Sequence, residues 1–507
     1  MSWLRKPKVD WRNIDSIVES SKDRVLTEAE HLKLKRTLEK LEKHLTPEPK
    51  ASEKQSDLIE GASETGDKKK SKAKGHGRNG AKQLDGVATR IPVPHPTLEH
   101  AQVCPSCHSG KLYSTKMPAV TWKFIGQPML EIIKYDRAQL KCNTCDALFT
   151  APNPEGVSDQ KYDDSVPAVL ALSRYGSGLP GHRIERLLQN FGVPFPASTQ
   201  WELVSEAADQ LKPLFDEFLR QAANSPLVHL DDTGMKIIKC KRDIPGRTGI
   251  HTTAMVAQNP QGPIALFLSG EKHAGENLEA LLSNRLRDLP ENLILMSDAL
   301  SMNTSKLKGL DISVLLANCL AHARRNFVTV CSNFPGPCQH VLAQLGKVYR
   351  IDSIASKLKL GPNGRTIYHR IHSKPILENL KRWLQKAEED KIYEPASGLG
   401  LAVNYLNKHW TKLTEFLRTP GIPLDNNICE RAIKKMVLYR KNSLFYRNNN
   451  GAEVGDLFMT LIHTCERNQT NAYDYLVALI SNSGAVANDP KSWLPWNFAQ
   501  QGQLERV

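Results

Sequence analysis

The pattern of apolar and polar positions predicts helices before and after a run of short strands. Residues 22–46 repeat leucine at alternating spacings of four and three, with Glu and Lys between. This spacing is typical of a short coiled-coil helix, and a charged helix packed on its own chain is the alternative. Residues 163–220 have helical period around a Gly/Pro turn, with Ser198 and Thr199 expected to cap the second helix. They predict a helix-turn-helix unit or a plain helical hairpin.

Short apolar runs begin at Leu227 and predict a sheet with acids at strand ends. The expected strands cover 227–233, 235–240, 251–257, 264–269, 293–298 and 313–319, with a helix over 276–282. Asp231 lies near the end of the first strand, and Asp298 ends the first strand after the helix. This is the order of a ribonuclease-H-like fold, where neighbouring carboxylates bring two metal ions to one phosphate. A single strand-end Asp is usually a turn residue, but two in this order favour a site.

A third acid lies on a helix predicted to start after Asp425. Asp425 and Asn426 are good N-cap residues, and Glu430 shares a helix face with Ile433 and Lys434. A solvated Glu–Lys pair on a capped helix is the plain alternative. Three carboxylates that converge from two strand ends and one helix could instead hold two divalent metal ions, the apparatus of phosphodiester cleavage.

The pattern between the second and third acids predicts an all-helical insertion. Helical period covers 341–358, 376–388 and 399–417 within it, followed by closing helices over 452–466 and 472–480. The sequence Leu494-Pro-Trp496 is expected to end the ordered chain.

Charge changes this picture by indicating a polyanionic partner. The 507 residues include 68 Lys and Arg against 54 Asp and Glu, a formal net charge of +14. Such an excess favours nucleic acid over membrane, and we find neither a membrane-spanning apolar run nor a signal peptide. Residues 47–85 are rich in Lys, Ser, Gly, Glu and Asp and predict a disordered linker. Its lysines Lys68, Lys69 and Lys70 are expected to bind phosphates without reading sequence, with a solvated tail as the alternative.

Ten cysteines are too few for a disulfide scaffold in a chain of this length, but four of them form two pairs. Cys104-Pro-Ser-Cys107 and Cys142-Asn-Thr-Cys145 flank predicted strands at 119–125 and 130–140. Two such turns joined by hairpins predict a zinc ribbon, in which four thiolates hold one structural Zn²⁺. The gap between the pairs is longer than usual, and a redox function is the alternative.

Together these residues resemble the DDE transposases of the insertion-sequence-66 family over most of the chain. The resemblance rests on the Cys-x-x-Cys pairs, Asp231-Asp-Thr, Asp298, Cys319-Leu-Ala-His-Ala-Arg-Arg-Asn-Phe, Ile422-Pro-Leu-Asp-Asn-Asn with Glu430, Arg440-Lys-Asn-Ser-Leu-Phe and Leu494-Pro-Trp. It implies an α/β fold: a ribonuclease-H-like catalytic core with an all-helical insertion, preceded by a zinc-ribbon domain and an N-terminal helix. It also implies that Asp231, Asp298 and Glu430 are the catalytic, magnesium-binding acids.

The implied activity is metal-dependent DNA strand cleavage and strand transfer at the terminal inverted repeats of a bacterial insertion sequence. Two Mg²⁺ or Mn²⁺ ions per active site would activate the attacking oxygen and stabilise the leaving one. The expected partners are double-stranded DNA of transposon ends and target, further copies of the chain and accessory proteins, in the bacterial cytoplasm at the nucleoid. Phosphate contacts are expected from Arg324, Arg325, Lys434, Arg440 and Lys441, although each could be an ordinary surface cation.

Two positions depart from the family pattern. Family members usually have Glu after the first Asp, where this chain has Asp232, and an aromatic residue soon after the second, where it has Leu300. Neither change removes a metal-binding carboxylate.

Cys319 and His322 could also belong to a second zinc site, with further donors at Cys331, Cys338 and His340. A buried Cys and a hydrogen-bonded core His are the favoured alternative.

Two rival functions remain open at this point. A structure-specific nuclease or resolvase could use the same core without end-specific DNA-binding domains. A zinc-ribbon DNA-binding regulator could retain a dead core, although an intact acid triad argues against it.

The predicted domains are an N-terminal helix 1–46, a basic linker 47–85, a zinc-ribbon-like domain 86–155, a helix-turn-helix-like domain 156–225, the core 226–330, the helical insertion 331–420, the third acid with closing helices 421–490, and a tail 491–507.

Overall fold

The computed structural model describes residues 91–113, 126–141, 143, 148–242, 244, 246–286, 292–299 and 312–498. The chain forms two compact units, one of Pro49–Gln127 and the other of Met1–Glu48 with Pro128–Val507. Several predictions lie outside the described residues: the N-terminal helix, the linker with Lys68, Lys69 and Lys70, the strand at 119–125, Cys142, Cys145 and Leu300.

Five strands of the larger unit form one central sheet. In chain order the described strands are β1 (Gln139–Lys141), β2 (Leu148–Thr150), β3 (Leu227–Gly234), β4 (Ile237–Lys239), β5 (His251–Ala257), β6 (Ile264–Gly270), β7 (Leu293–Ser297), β8 (Val314–Asn318) and β9 (Tyr446–Asn448). The central order is β6-β5-β3-β7-β8, in which β3 is antiparallel to β5 and parallel to β7. The strands predicted from Leu227 onward are therefore confirmed, and the fold is mixed α/β.

Helices cover this sheet and form the segment between β8 and the third acid. In chain order they are α1 (Ser165–Ala171), α2 (Gly181–Asn190), α3 (Ala197–Ala223), α4 (Ala274–Leu282), α5 (Leu320–Val330), α6 (Pro335–Lys357), α7 (Pro362–His372), α8 (Lys374–Glu389), α9 (Gly398–Leu413), α10 (Asn427–Ser443), α11 (Asn449–Arg467), α12 (Ala472–Ser481), α13 (Ser483–Asn488) and α14 (Pro495–Phe498). None of the helices in the described part of the chain has the length and apolar character needed to cross a bilayer.

Helix α11 closes the open edge of the sheet at β6. The backbone N–H groups of Ala265 and Phe267 donate to the hydroxyls of Thr464 and Thr460, at 3.1 and 3.2 Å. Further along the same edge, the N–H of Ser269 donates to a carboxyl oxygen of Asp456. Side chains one helical turn apart thus replace the hydrogen bonds of a missing strand, which protects the edge from pairing with another chain.

This edge buries the carboxyl group of Asp456. Its side chain is 4% exposed, and burial raises the pKa of Asp456 to about 8. The folded chain therefore holds this proton more tightly than the unfolded chain, where an Asp titrates near pH 4. Stability from this group is fully present below about pH 4 and declines by about 1.4 kcal/mol per pH unit up to about pH 8.

Asp456→Asn should flatten that part of a melting-temperature profile against pH. The control is Glu202→Gln, an exposed acid on α3 away from this edge, which should leave the profile unchanged.

The chain leaves the core and returns to it at adjacent points. The N–H of Leu320 donates to Leu424 O at 3.0 Å, and the N–H of Asn426 donates to Cys319 Sγ at 3.1 Å. Helices α6 to α9 lie between these points in the sequence. Helices α6, α8 and α9 bury one apolar cluster with α5, and α7 packs against α6 in a smaller one. The predicted helices of this region are present, so the segment consists of helices as expected.

Two local predictions are wrong, and one helix was not predicted. The strand expected over 130–140 forms only at its end, in β1, and Ile132 and Ile133 are 67% and 62% exposed. Helix α7 was not predicted because the buried residues Thr366 and His369 are polar and hide the apolar period. Helix α3 begins at Ala197 with Pro196 at the N-cap position, so Ser198 and Thr199 lie inside the first turn and do not cap it.

Helix α10 ends in a tight turn that joins it to β9. Leu444 has φ 67° and ψ −42°, and the N–H of Phe445 donates to Ser443 O at 2.8 Å. This is a γ-turn of positive φ, which is rare and strained for a residue with a side chain. The N–H of Tyr446 then donates to Lys236 O at 2.9 Å and starts the parallel pairing of β9 with β4. The far end of α10 is thereby attached to the strand that follows β3.

Candidate active site

Asp231 and Asp298 lie at the same level on neighbouring parallel strands. The paired register of β3 and β7 ends at His229 opposite Met296. Asp231 follows two residues later on β3, and Asp298 follows two residues after Met296, just beyond the end of β7. Side chains alternate along a strand, so both acids project from the same face of the sheet. The strand prediction therefore brings together the two acids that it identified.

Asn426 fixes the helix of the third acid against β3. Its side-chain Nδ2 donates to Leu230 O at 2.9 Å, and its Oδ1 lies 3.0 Å from His229 Nδ1. Its backbone N–H reaches Cys319 Sγ at the end of β8. Glu430 lies in the first turn of α10, with its N–H bonded to Asn426 O at 3.1 Å. One buried asparagine thus connects the start of α10 to β3 and to Cys319, the residue after β8.

Asn426 occupies the N-cap position of α10, as predicted, but its side chain does not cap the helix. Helix α10 begins at Asn427, and the side chain of Asn426 makes no cap hydrogen bond. Asp425 is the residue that caps, because its Oδ1 accepts the N–H of Asn427 at 3.1 Å. The amide of Asn426 instead satisfies the carbonyl of Leu230, immediately before the first acid.

The electrostatics of the three acids favour a bound cation. Burial, together with the negative charges of Asp298, Glu430 and Asp232, raises the pKa of Asp231 to about 7, against a hydrogen bond from the N–H of Asp232. Carboxylates that share a half-buried site repel one another, so one of them keeps its proton near neutral pH. A divalent cation would relieve this repulsion and release that proton.

Helix α5 supplies the partners of Glu430. Arg325 Nη2 donates to Glu430 Oε2 at 2.9 Å. His322 Nδ1 lies 3.6 Å from Glu430 Oε1, too far for a hydrogen bond. Both of these atoms are buried, and neither has a hydrogen-bond partner among the described residues. The two atoms face each other as a long ion pair, and each keeps the capacity for one further partner.

The side chains of Cys319 and His322 approach Glu430, but the wider zinc site does not form. Ligand atoms of these three residues lie within 4.8 Å of one another. Cys319 is fully buried, its sulfur accepts the N–H of Asn426, and burial raises its pKa to about 11, which keeps the thiol neutral. The other proposed donors are placed differently, since the ring of His340 stacks on Trp383 with centroids 4.4 Å apart. This supports a buried structural Cys319.

The basic residues predicted near the acids fall into two groups. Arg325 is engaged with Glu430, and Arg440 Nη1 donates to Thr233 Oγ1 at 3.1 Å and to Gly234 O at the end of β3. Lys434 and Lys441 are exposed on α10, and Arg324 is half-buried on α5. Arg440 therefore ties α10 to β3, a structural contact that the sequence did not indicate.

The first cysteine pair has the local geometry of a metal knuckle. The N–H of Cys104 donates to Gly110 O at 2.7 Å, and the N–H of His108 donates to Cys104 O at 2.9 Å. Backbone hydrogen bonds from Ser109 and Gly110 lower the pKa of Cys107 to about 6, which favours the thiolate that binds zinc. The second pair lies outside the described residues, so the ribbon stays a prediction.

Helix α3 presents acids where a recognition helix would present cations. Glu202, Glu206 and Asp209 are exposed, and the helix has no Lys or Arg before Lys212. The opposite side of the helix is buried along most of its length, from Gln200 to Ala223. Phosphates would be repelled from this surface, which favours the helical hairpin over the helix-turn-helix interpretation.

Comparison with known proteins adds a family match. The model described as "Transposase IS66 family" matches residues 160–454. Two proteins of Sinorhizobium fredii (strain NBRC 101917 / NGR234) are similar over most of the chain. The uncharacterized protein y4jD is 25% identical over 437 residues, covering 83% of this chain and 83% of its own. The uncharacterized protein y4hP is 22% identical over 388 residues, covering 73% and 68%.

The likeness to solved structures is weak. The crystal structure of the Mos1 Strand Transfer Complex has a TM-score of 0.12 at 15% identity, over 32% of this chain and 61% of that one. The Mos1 transposase paired-end complex with left transposon end has a TM-score of 0.13 at 15% identity, over 53% and 82%. Neither score carries an argument about this chain.

Proposed function

This chain belongs to the IS66 transposase family, and we propose that it cuts and joins DNA at the ends of an insertion sequence. One observation carries the proposal: Asp231, Asp298 and Glu430, far apart in sequence, lie close enough that their charges raise the pKa of Asp231. The strand order is β6-β5-β3-β7-β8, and β5 alone runs in the direction opposite to the other four strands, which supports a ribonuclease-H-like core. The test is metal-dependent nicking of inverted-repeat DNA by the purified chain.

The three acids fit a pair of hard divalent cations. Mg²⁺ and Mn²⁺ prefer carboxylate oxygens, and Glu430 Oε1 is a buried oxygen without a hydrogen-bond partner among the described residues. Asp231 and Asp298 would bind from the strand ends and Glu430 from α10. When bound, such ions would activate the attacking oxygen and stabilise the leaving 3′-oxygen of the cleaved phosphodiester.

Residues of α5 would adjust the site as it is loaded. Arg325 neutralises Glu430 at 2.9 Å, a role that a cation would take over. The released guanidinium is 56% exposed as a side chain and would be free to bind the phosphate beside the cleaved bond. His322 would hold Glu430 Oε1 from the other side, and Asp231 would give up its proton before binding.

Beside the acids lie two segments rich in Lys and Arg, which we name the basic patch; two of its cations, Arg242 and Lys435, pair with Glu271 and Glu466. It consists of residues 235–242 and 434–449, two segments that contain Lys and Arg but no Asp or Glu. The pairing of β4 with β9 and the bond from Arg440 to Gly234 join the two segments next to β3. We infer that this patch holds the DNA backbone, with the linker lysines adding contacts that do not depend on sequence.

End recognition would then fall to the zinc-ribbon domain. Cys104, Cys107, Cys142 and Cys145 would hold one structural Zn²⁺, and elemental analysis that found no zinc in protein purified without chelators would refute this. We also propose that the chain acts on transposon ends and target as an oligomer, with accessory proteins of the same element, at the bacterial nucleoid.

The basic patch and the ribbon should have separable effects on DNA affinity. Lys434→Gln with Lys441→Gln should weaken binding to repeat and random DNA alike, and reduce the slope of log affinity against log salt by about 2. Deleting 68–74 should act in the same direction. Cys104→Ser should remove the preference for repeat ends while general binding survives. Lys357→Gln with Lys386→Gln, two exposed lysines of the insertion, is the matched control and should change neither property.

These measurements also separate the rival functions. A nuclease or resolvase of the same fold would cleave without any preference for repeat ends. A regulator with a dead core would bind repeat ends and cleave nothing under any divalent metal. Loss of end preference on deleting 68–74 alone would instead make the linker the sequence reader.

A further inference from the structure

Asp232 faces the side of the sheet opposite Asp231, because successive side chains of a strand alternate. On that side the register of β3 and β5 places Asp232 beside Thr253 and Gly234 beside His251. Helix α4 starts against the same carboxylate, since the N–H of Ala274 donates to Asp232 Oδ2 at 2.8 Å. Three chain segments therefore meet behind the first catalytic acid.

Two imidazoles and one carboxylate converge at this point. His273 Nδ1 lies 3.7 Å from Asp232 Oδ2, and the rings of His251 and His273 have centroids 4.1 Å apart. One ligand atom from each of the three residues lies within 4.8 Å of the other two, and all three residues are half-buried. Gly249 gives His251 its room, because a Cβ there would lie 2.8 Å from His251 Nε2.

The carboxylate is held in a fixed orientation. Thr253 Oγ1 donates to Asp232 Oδ1 at 2.7 Å, and Asn277 Nδ2 donates to Thr253 Oγ1 at 2.8 Å. Outer partners of this kind orient ligating carboxylates in metal sites. A carboxylate has about four lone-pair sites, so the bonds from Thr253 and Ala274 leave capacity for a cation.

We propose that Asp232, His251 and His273 form a binding site for one zinc ion, separate from the catalytic acids. Two imidazoles with one carboxylate suit zinc and similar transition metals, whereas magnesium prefers oxygen ligands alone. Tetrahedral zinc with bonds of 2.0–2.1 Å places its ligand atoms about 3.4 Å apart. Side-chain rotations that move the ligand atoms by roughly an ångström would bring them from their present separations, within 4.8 Å, to this distance. The ion would tie β3, at the residue after Asp231, to β5 and α4.

The test measures zinc on the full-length chain and three variants. Asp232→Asn, His251→Gln and His273→Gln should each bind one fewer zinc per chain than the wild type, with the ribbon zinc retained. Zinc added to stripped protein should raise the melting temperature of the wild type by a few degrees more than that of each variant. His182→Gln, an exposed histidine on α2, is the matched control and should behave as the wild type.

Equal zinc content and equal thermal shifts in all five proteins would overturn the proposal, and the three residues would then be a hydrogen-bonded start of α4 with a stacked histidine pair. Should a variant fail to fold, X-ray absorption at the metal edge of the cobalt-loaded wild type decides. A cobalt shell with two imidazole ligands, which the catalytic acids cannot supply, is expected beside the sulfur-ligated ribbon cobalt. Sulfur ligands alone, or sulfur with oxygen ligands only, would refute the site. Neither measurement depends on DNA cleavage.

Discussion

Asp231→Asn, Asp298→Asn and Glu430→Gln should each lower metal-dependent nicking of inverted-repeat DNA by at least about a thousandfold. Each acid would contribute to the charge stabilisation that a two-metal site supplies, which amounts to several kcal/mol. Since about 1.4 kcal/mol corresponds to a factor of ten in rate, losses of this size follow. Binding to the same DNA without divalent metal should be unchanged, because the basic patch is intact.

The melting temperature of Asp231→Asn distinguishes a loss of catalysis from a loss of folding. Burial holds the pKa of Asp231 at about 7, so its charged form is unfavourable in the folded chain without metal. Asp231→Asn removes that cost, and its melting temperature at pH 8 without metal should equal or exceed that of the wild type. Asp209→Asn, an exposed acid on α3, should retain full nicking. An acid variant that cleaves at near-wild-type rate would remove that residue from the assignment.

Asn426→Ala should lower nicking by about a hundredfold even though Asn426 would touch neither metal nor DNA. The variant removes the bonds to Leu230 O and His229 and leaves a buried carbonyl unpaired beside the first acid. The expected loss of stability is about 1–3 kcal/mol. Displacing Glu430 by an ångström relative to Asp231 accounts for the loss of rate.

A metal titration distinguishes positioning from general damage. If Asn426 acts by placing Glu430, the variant should need a higher Mg²⁺ concentration for half-maximal nicking, and more metal should recover part of the rate. Asn427→Ala is the control, because the side chain of Asn427 donates to Asp425 Oδ2 at 2.7 Å outside this network. An Asn426 variant with wild-type metal dependence would show that β3 and α10 are held together by other contacts.

The sequence predicted the sheet well because its strands are buried and nearly continuous in apolar residues. β5 is almost wholly buried, and β3 and β7 carry their acids at the positions where the apolar runs stop. Periodicity and strand-end acids were therefore enough to find Asp231 and Asp298. Glu430 was proposed from the residues with a solvated Glu–Lys pair as the alternative, since a Glu in the first turn of a helix is ordinary by itself, and the family resemblance favoured the site.

The contacts that assemble the site could not be predicted in the same way. Asn426 and Glu430 lie close in sequence, but the partners of Asn426 come from β3 and from the end of β8. No period marks such a residue, and its identity suggested a cap. The pairing of Arg325 with Glu430 was hidden for the same reason, because an Arg on a helix reads as a surface cation until the fold brings the acid to it.

The hydrogen bond between Leu320 and Leu424 makes the segment from α6 to α9 a loop whose ends are already closed. The entropy of closing a loop grows only with the logarithm of its length, so such a segment can lengthen, shrink or be exchanged at small cost in free energy. The segment is not independent of the acids, because Arg325 of α5 donates to Glu430, and Tyr349 of α6 and Tyr405 of α9 lie beside Asp425 and Asp298. In evolution and in engineering, its outer surface is therefore the part open to new binding surfaces, while the side that faces the acids has to be kept.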